Sequence, residues 1–201
     1  MICGFGRLGT TFGFQKYGFT PDIVTLSKQI TSSYMPLAAV MFAEPIYQAI
    51  ADNSAKIGAF GHGFTASGHP VATAVALENL AIYEERDLIG NAARLEPAFQ
   101  QGIRSFADHP VVGEARGTGL IAALELVADK ATKRPFETVG RAGAIASKIG
   151  HEEGLIFRAI GDQLALCPPL IVTADDVAEI MTRMGRTLDR LTPAVAEAGL
   201  K

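Results

Sequence analysis

Residues 21–34 read PDIVTLSKQITSSY, and this stretch decides the expected fold of the first third of the chain. Its proline and aspartate predict a turn, and the apolar residues that follow predict a short buried strand. Lys28 comes directly after this strand and before a polar loop. Because ligands of α/β proteins bind at the carboxyl ends of strands, we expect the Lys28 amine at such an edge. An amine held there away from water can attack a carbonyl carbon. On the local sequence alone, a solvated loop lysine is the more frequent outcome.

The pattern of the whole chain predicts an α/β fold, in which strands alternate with helices in the first third and a smaller α+β unit follows. The elements predicted first are a strand at 37–42, a short helix at 44–51, a glycine-rich loop at 58–70, a buried helix at 71–83 and an amphipathic helix at 86–107. Strands are then predicted at 111–114, 120–126, 155–158 and 163–167, and helices at 140–153 and after Thr173. Thr173 and Asp176 have the spacing of a capping pair.

Gly4, Gly6 and Gly9 match the spacing G-x-G-x-x-G that is typical of dinucleotide-binding loops. That loop works only between a strand and a helix, whose N-terminus faces the pyrophosphate. Only three residues precede Gly4, and Gly13, Gly18 and Pro21 interrupt any helical period after Gly9. We therefore interpret the match as accidental.

Composition excludes two classes of partner. The net charge is −3 and no basic residues cluster, which is not the charge distribution of a nucleic-acid-binding protein. Hydrophobic residues make up 48% of the chain, yet no apolar run approaches the roughly 20 residues of a membrane-spanning helix. We therefore expect a small-molecule or protein partner, and either a large core or a large subunit interface.

The two cysteines, Cys3 and Cys167, are far apart in sequence and form no C-x-x-C pair. This arrangement favours a reduced chain over a disulfide scaffold, and no charged-then-apolar segment opens the sequence. We therefore expect a cytoplasmic protein. Cys167 stands before two prolines and is expected to be buried and unreactive.

Four blocks resemble, in order and spacing, the C-terminal half of the class III (omega) aminotransferases, which are fold type I pyridoxal-phosphate enzymes. The blocks are CGFGRLGTTFGFQKYGFTPDIVTLSKQITSSYMPLAAVMF, GHGFTASGHPVATAVALENL, GEARGTGLIAALELV and GLIFRAIGDQLALCPPLIVTADDVAEIM. Together they span nearly all 201 residues. The resemblance implies that the first glycines form the family's turn after a core strand.

The resemblance gives three residues a role in the site. Lys28 matches the lysine that binds pyridoxal 5'-phosphate covalently and later moves the substrate proton. Thr65 matches the threonine that reaches the cofactor phosphate of the neighbouring subunit, which implies a homodimer. Arg158 matches the mobile arginine that pairs with a substrate carboxylate, for which a guanidinium suits because it donates two parallel hydrogen bonds.

Other candidate residues are assigned structural roles. Arg116 resembles a family arginine of mainly structural function. His62 and His69 lie on one loop without a third ligand, so we do not predict a zinc site. Tyr34 could line the substrate pocket, although an aromatic residue in a loop more often packs.

The resemblance also implies that three family elements would precede residue 1: the phosphate-binding helix start, the ring-stacking aromatic and the aspartate on the pyridine nitrogen. That aspartate makes the cofactor an electron sink. Residues 1–78 are expected to finish the large cofactor domain, which the resemblance implies is a mostly parallel sheet with helices. Residues 79–201 are expected to form interdomain helices and the small α+β C-terminal domain. The chain alone is expected to bind the cofactor weakly, to be inactive and to self-associate.

The function implied is transfer of an amino group from an amine or ω-amino acid to pyruvate or a similar keto acid. The alternative is a non-catalytic fragment that acts only as a dimerisation or interaction module. Another lysine-dependent enzyme of the same fold, such as an aminomutase, decarboxylase or racemase, is disfavoured by Arg158. The sequence does not name the amine donor.

Overall fold

In the computed structural model, which describes residues 1–200, the chain divides into two units, Met1–Gly90 and a second that starts at Asn91. The first unit contains α1 (Gly13–Tyr17), β1 (Ile23–Leu26), β2 (Ala39–Phe42), α2 (Glu44–Ile57) and α3 (Pro70–Glu85). Helix α4 (Leu88–Ser105) crosses the division, and the second unit continues with β3 (Val112–Thr118), β4 (Ile121–Leu126), α5 (Arg141–Glu152), β5 (Arg158–Ile160), β6 (Gln163–Leu166) and α6 (Ala174–Glu197). The predicted boundary near residue 78 lies within α3 and stays a prediction.

The chain combines helices with sheets, as the predicted α/β class requires. β1 and β2 pair antiparallel, with Ile23 opposite Phe42 and Leu26 opposite Ala39. All strand pairs described within residues 1–200 are antiparallel, so the mostly parallel sheet expected of the large domain is not found among these residues. β1 is less buried than expected, because only Leu26 of its four residues is enclosed.

The N-terminal glycines form a turn. Gly9 donates its N–H to Gly6 at 2.9 Å, and an isolated bridge joins Gly4 to Phe12. The helix that follows, α1, has five residues and ends before Gly18, which takes a left-handed φ of 69°. The described residues therefore lack the strand that a dinucleotide-binding loop needs before its glycines.

Helix α2 is longer than the predicted span of 44–51 and continues to Ile57. Asn53 and Ser54 are weak helix formers, because their side chains compete for backbone groups. Here both side chains donate back to carbonyls four residues earlier, at 2.7 Å and 2.9 Å, so their hydrogen bonds are satisfied inside the helix.

Helix α3 is buried on one face only, whereas the sequence predicted a buried helix. Its four buried residues are Ala72, Ala76, Asn79 and Tyr83, at the i, i+4, i+7, i+11 spacing of a single helical face. Leu77 on another face is 71% exposed. The Ala-rich composition therefore predicted the helix but not its orientation.

The second unit is built on a four-stranded antiparallel sheet in the order β3-β4-β6-β5. β3 pairs antiparallel with β4, with Thr118 opposite Ile121, which confirms the predicted hairpin at 111–126. Alternate residues of β4 and β6 are buried, including Leu124 and Leu164. β6 ends at Leu166, which is buried, so Cys167 takes the opposite side. The expectation that Cys167 is buried is wrong, because it is exposed.

The helix boundaries of the second unit follow local signals. Thr173 Oγ1 accepts the Asp176 N–H at 3.1 Å, and the Asp176 carboxylate accepts the Thr173 N–H at 2.8 Å, which confirms the capping pair. Gly154, just beyond α5, takes a left-handed φ of 75°, a conformation that suits a glycine after the C-terminal end of a helix. The strand predicted at 155–158 starts only at Arg158.

No helix within residues 1–200 has the length and apolar character to cross a membrane.

Candidate functional site

Lys28 lies at the end of β1, where the sequence predicted it. Ser27 links β1 to a one-turn 3-10 helix, Lys28–Ile30, and its Oγ donates to the Leu37 carbonyl at 3.1 Å. The φ of Lys28 is 59°, in the left-handed region that few non-glycine residues adopt. Such a conformation costs free energy, so it persists only where the surrounding contacts hold it.

The loop after Lys28 contains two more left-handed residues, Ser32 and Ser33, with φ of 47° and 67°. Thr31 between them and the lysine is 2% exposed, and its Oγ1 donates to the Met35 carbonyl at 2.7 Å. The Thr31 N–H donates back to the Lys28 carbonyl at 3.3 Å. The segment is therefore a series of closed turns.

Helix α3 supplies two side chains to this loop. Asn79 Nδ2 donates to the carbonyl of Gln29 at 2.7 Å and to that of Ile30 at 3.3 Å. Tyr83, one turn further along α3, shares a 3.2 Å hydrogen bond between its hydroxyl and Ser32 Oγ. Sequence reasoning missed both residues. The available signal was a polar residue, Asn79, at the buried spacing of an Ala- and Leu-rich helix.

The side chain of Lys28 is exposed, and it makes no hydrogen bond or ion pair with any other residue in the range 1–200. The dry surroundings expected from the sequence are therefore not supplied by the described residues. The amine is available for a covalent bond to a carbonyl compound, while its backbone is fixed.

Thr65 lies in the exposed loop 58–69, which confirms the predicted glycine-rich loop. A turn holds it: the Phe64 N–H donates to Ser67 Oγ, and the Ser67 N–H donates to the Phe64 carbonyl, both at 2.9 Å. The rings of Phe60 and Phe64 each contact the His62 ring, with centroids 5.9 Å apart in each pair. The Thr65 hydroxyl makes no hydrogen bond within residues 1–200, so it is free to meet a ligand.

His69, considered above as a metal ligand, instead caps α3. Its Nδ1 accepts the Val71 N–H at 3.2 Å, and Pro70 occupies the first helical position. Nowhere in residues 1–200 do three His, Cys, Asp or Glu side chains gather closely enough to hold a metal ion.

Arg158 belongs to the second unit, whereas Lys28 and Thr65 belong to the first. It is the first residue of the edge strand β5 and pairs with Ala165. Its side chain is exposed and has no hydrogen bond or ion pair within the described range. The guanidinium is therefore available for an anion.

Arg116, by contrast, is engaged. Its Nη1 donates to Glu125 Oε2 at 2.7 Å across the β3–β4 pair and lies 3.4 Å from Glu114 Oε2. These contacts fit the structural role expected for Arg116.

The family model for aminotransferase class-III matches residues 1–188. The chain belongs to the class-III aminotransferase family. Members of this family use pyridoxal phosphate, which agrees with an exposed lysine amine on a fixed turn. The predicted family, fold class and cofactor are thereby confirmed.

Two curated relatives illustrate the similarity. The chain is 42% identical to gamma aminobutyrate transaminase 3, chloroplastic, of Solanum lycopersicum over 94% of its own length and 36% of the relative. It is 41% identical to vanillin aminotransferase of Capsicum chinense over 98% of its length and 43% of the relative. The chain thus spans less than half of these relatives.

A solved omega transaminase from Pseudomonas jessenii, in complex with PMP, is 52% identical, with a TM-score of 0.91 over 96% of this chain and 43% of that one. A transaminase solved with L-ala superposes with a TM-score of 0.92 at 50% identity, over 96% of this chain and 46% of that one. The fold of both units is therefore that of transaminases.

The cytoplasmic prediction is contradicted. The Solanum lycopersicum relative is named chloroplastic, and a relative from Oryza sativa subsp. indica, 42% identical, is named mitochondrial. The prediction rested on two unpaired cysteines and on the absence of a charged-then-apolar opening segment. Unpaired cysteines indicate reducing conditions rather than a particular compartment.

Proposed function

We propose that this chain carries the C-terminal part of the active site of a transaminase, which moves an amino group from an amine or ω-amino acid to pyruvate or a similar keto acid. The observation that carries the proposal is the exposed, unpartnered amine of Lys28 on a left-handed turn at the end of β1. Family membership supports it.

Lys28 would hold pyridoxal phosphate covalently through its Nζ, and the cofactor supplies an electron-accepting ring when bound. As a free amine, Lys28 Nζ would take up a proton from the substrate carbon and return it elsewhere. This role needs an amine with mobile methylenes on an immobile backbone. The free side chain and the closed turns after Lys28 support it.

Thr65 would bind the cofactor phosphate through its hydroxyl and through backbone N–H groups of its loop. We propose that this phosphate belongs to the neighbouring subunit of a homodimer. Phe64 is 79% exposed, which supports that arrangement, because covering an apolar ring with a second chain lowers the free energy.

Arg158 would pair with the carboxylate of an amino or keto acid. Its side chain would swing away when the substrate is an amine without a carboxylate. Its exposure and its lack of partners within the described residues support a mobile side chain.

We also propose the domain division expected from the resemblance. Residues 1–78 would form the end of the large cofactor domain, and residues 79–201 the interdomain helices and the small domain.

A second candidate is a non-catalytic dimerisation module. Three consecutive residues of β2 are exposed and apolar, Val40, Met41 and Phe42, which favours association with another chain. The chain's share of its relatives' length leaves this candidate open, and an experiment separates the two.

The experiment is a labelling assay that does not depend on turnover. The purified chain is incubated with pyridoxal phosphate, reduced with borohydride and mapped by peptide mass spectrometry. We expect the label on Lys28, no label there in Lys28→Ala, and unchanged labelling of Lys28 in Lys56→Ala, an exposed lysine of α2. Labelling of Lys56 or Lys16 as fast as Lys28 would overturn the proposal and favour the module.

Alanine formation from pyruvate and a simple amine is measured in parallel. With the 201-residue chain alone we expect labelling without sustained turnover. Sustained turnover by a monodisperse preparation would show that this chain needs no further cofactor-binding elements, and so overturn the expectation that it is inactive alone.

A further inference from the structure

We propose that α3 positions the reactive lysine: Asn79 and Tyr83 act as positioning residues that hold the left-handed backbone of Lys28 and the loop after it. This inference rests on the function proposed for Lys28. It adds to that function the contacts that fix the backbone from which the Lys28 side chain extends.

The Asn79 contact is specific in its geometry. Asn79 is 7% exposed, and its amide nitrogen donates to two successive carbonyls, those of Gln29 and Ile30. These are the two residues immediately after Lys28, within its one-turn helix. A buried amide donor that loses its acceptor is costly, so the contact holds both carbonyls in their present direction.

The backbone that Asn79 holds is one that would not persist alone. A lysine at a φ of 59° has its Cβ close to the neighbouring carbonyl oxygen, which costs free energy. Such a residue keeps this conformation only when its surroundings over-determine it. Ser27 Oγ fixes the chain before the lysine through Leu37, and Asn79 fixes it after the lysine.

Tyr83 extends the same restraint by one turn of α3. Its hydroxyl bonds Ser32 Oγ at 3.2 Å, and Ser32 is itself left-handed, with a φ of 47°. Asn79 and Tyr83 stand four residues apart, so they project from one face of the helix onto one loop. Both are buried, which limits their own freedom to move.

The consequence concerns the Lys28 amine. The side chain itself is unpartnered within the described residues, so only the backbone sets its origin and direction. A reacting group misplaced by about 1 Å loses on the order of 100-fold in rate. Loosening the loop should therefore reduce the reaction of Lys28 while leaving other lysines unaffected.

Two readouts test this on the whole chain: amide hydrogen exchange of peptides covering residues 28–34, and the borohydride-trapped label on Lys28 relative to Lys56 in the same molecule. The variants are Asn79→Ala, the near-isosteric Asn79→Asp and Tyr83→Phe. We expect exchange in this segment to accelerate by about fivefold to tenfold in either Asn79 variant, the ratio produced by one hydrogen bond's net free energy. The Lys28-to-Lys56 labelling ratio should fall by a similar factor.

Asn91→Ala is the matched control. Asn91 Nδ2 also donates to two backbone carbonyls, those of Leu170 at 2.8 Å and Val172 at 2.9 Å, in the second unit. Its loss should lower stability as the loss of Asn79 does, without changing exchange at 28–34 or the labelling ratio. An equal change in Asn91→Ala would reduce the role of Asn79 to general stability and overturn the inference.

The outcomes separate this inference from the proposed function. Unselective labelling in the unmodified chain refutes the role of Lys28. Selective labelling that persists unchanged in Asn79→Ala, with unchanged exchange, refutes positioning and leaves the role of Lys28 intact. Should both Asn79 variants fail to fold, Tyr83→Phe decides, because it removes one hydroxyl and keeps the buried ring.

Discussion

Gly143, in the first turn of α5, lies against the carbonyl oxygen of Gly161 in the turn between β5 and β6, so closely that a Cβ on Gly143 would overlap that oxygen. Asp162, the residue after Gly161, accepts the Gly140 and Gly143 N–H groups with its two carboxylate oxygens, both at 2.8 Å. Steric fit and hydrogen bonds together dock the turn on the helix. This docking fixes the end of β5, the strand on which Arg158 lies.

Gly143→Ala should destabilise the protein although alanine is the better helix former. The new methyl group meets backbone, which can move only by shifting the helix or the turn, and overpacking of this kind costs about 1–3 kcal/mol. Gly185→Ala in α6 is the control, since its Cβ finds nothing nearer than Phe106 at 3.6 Å. It should stabilise by about 0.5–1 kcal/mol. Urea unfolding midpoints measure both changes. Equal midpoints for the two variants would contradict the close approach of Gly143 to the Gly161 carbonyl.

Asp162 should act as the N-terminal cap of α5, although it lies 19 residues after Gly143. Gly140 at the cap position has no side chain to accept the first N–H groups of the helix. We expect Asp162→Ala to lower the free energy of unfolding by about 1–2 kcal/mol, the usual cost of a lost cap. Asp108→Ala, at an exposed aspartate, should change it by less than about 0.5 kcal/mol. Thermal or urea unfolding distinguishes them, and similar losses would refute the cap.

The same contacts show what the sequence could and could not predict. The position of Lys28 after a strand and the Thr173–Asp176 cap were predictable, because an apolar run and a three-residue spacing act locally. Asn79 lies 50 residues from Gln29, so no local pattern connects them. The conformation of Lys28 is equally invisible in the sequence, since the surrounding contacts hold a φ that lysine itself disfavours.

Glu153, at the C-terminal end of α5, should make stability depend on acidic pH. The hydrogen bonds from Arg190 and then Arg186, both 2.7 Å long, hold the pKa of this carboxyl below its usual value of about 4.3. Because the folded pKa is the lower one, the stabilisation is present above about pH 4.3 and is lost as pH falls through the folded pKa.

Glu153→Gln should therefore be less stable than the original protein at neutral pH, and the difference should shrink in the window below about pH 4.3. Urea midpoints measured across this range check the prediction. Glu137→Gln, at an exposed glutamate without an ion pair in the described residues, should show no such convergence. A Glu153 difference that stays constant with pH would mean that the ionised carboxylate does not contribute.

Arg158→Ala should separate substrates by their charge. If the guanidinium binds a carboxylate through two hydrogen bonds, its loss costs about 2–5 kcal/mol toward a keto acid such as pyruvate. An amine without a carboxylate makes no such pair, so its kcat/KM should stay nearly unchanged. Both values are measured in an active protein that contains this chain, with Arg104→Ala, an exposed arginine of α4, as the control. Equal losses for both substrates would instead indicate that Arg158 supports the edge strand β5, because a structural defect does not distinguish a carboxylate from an amine.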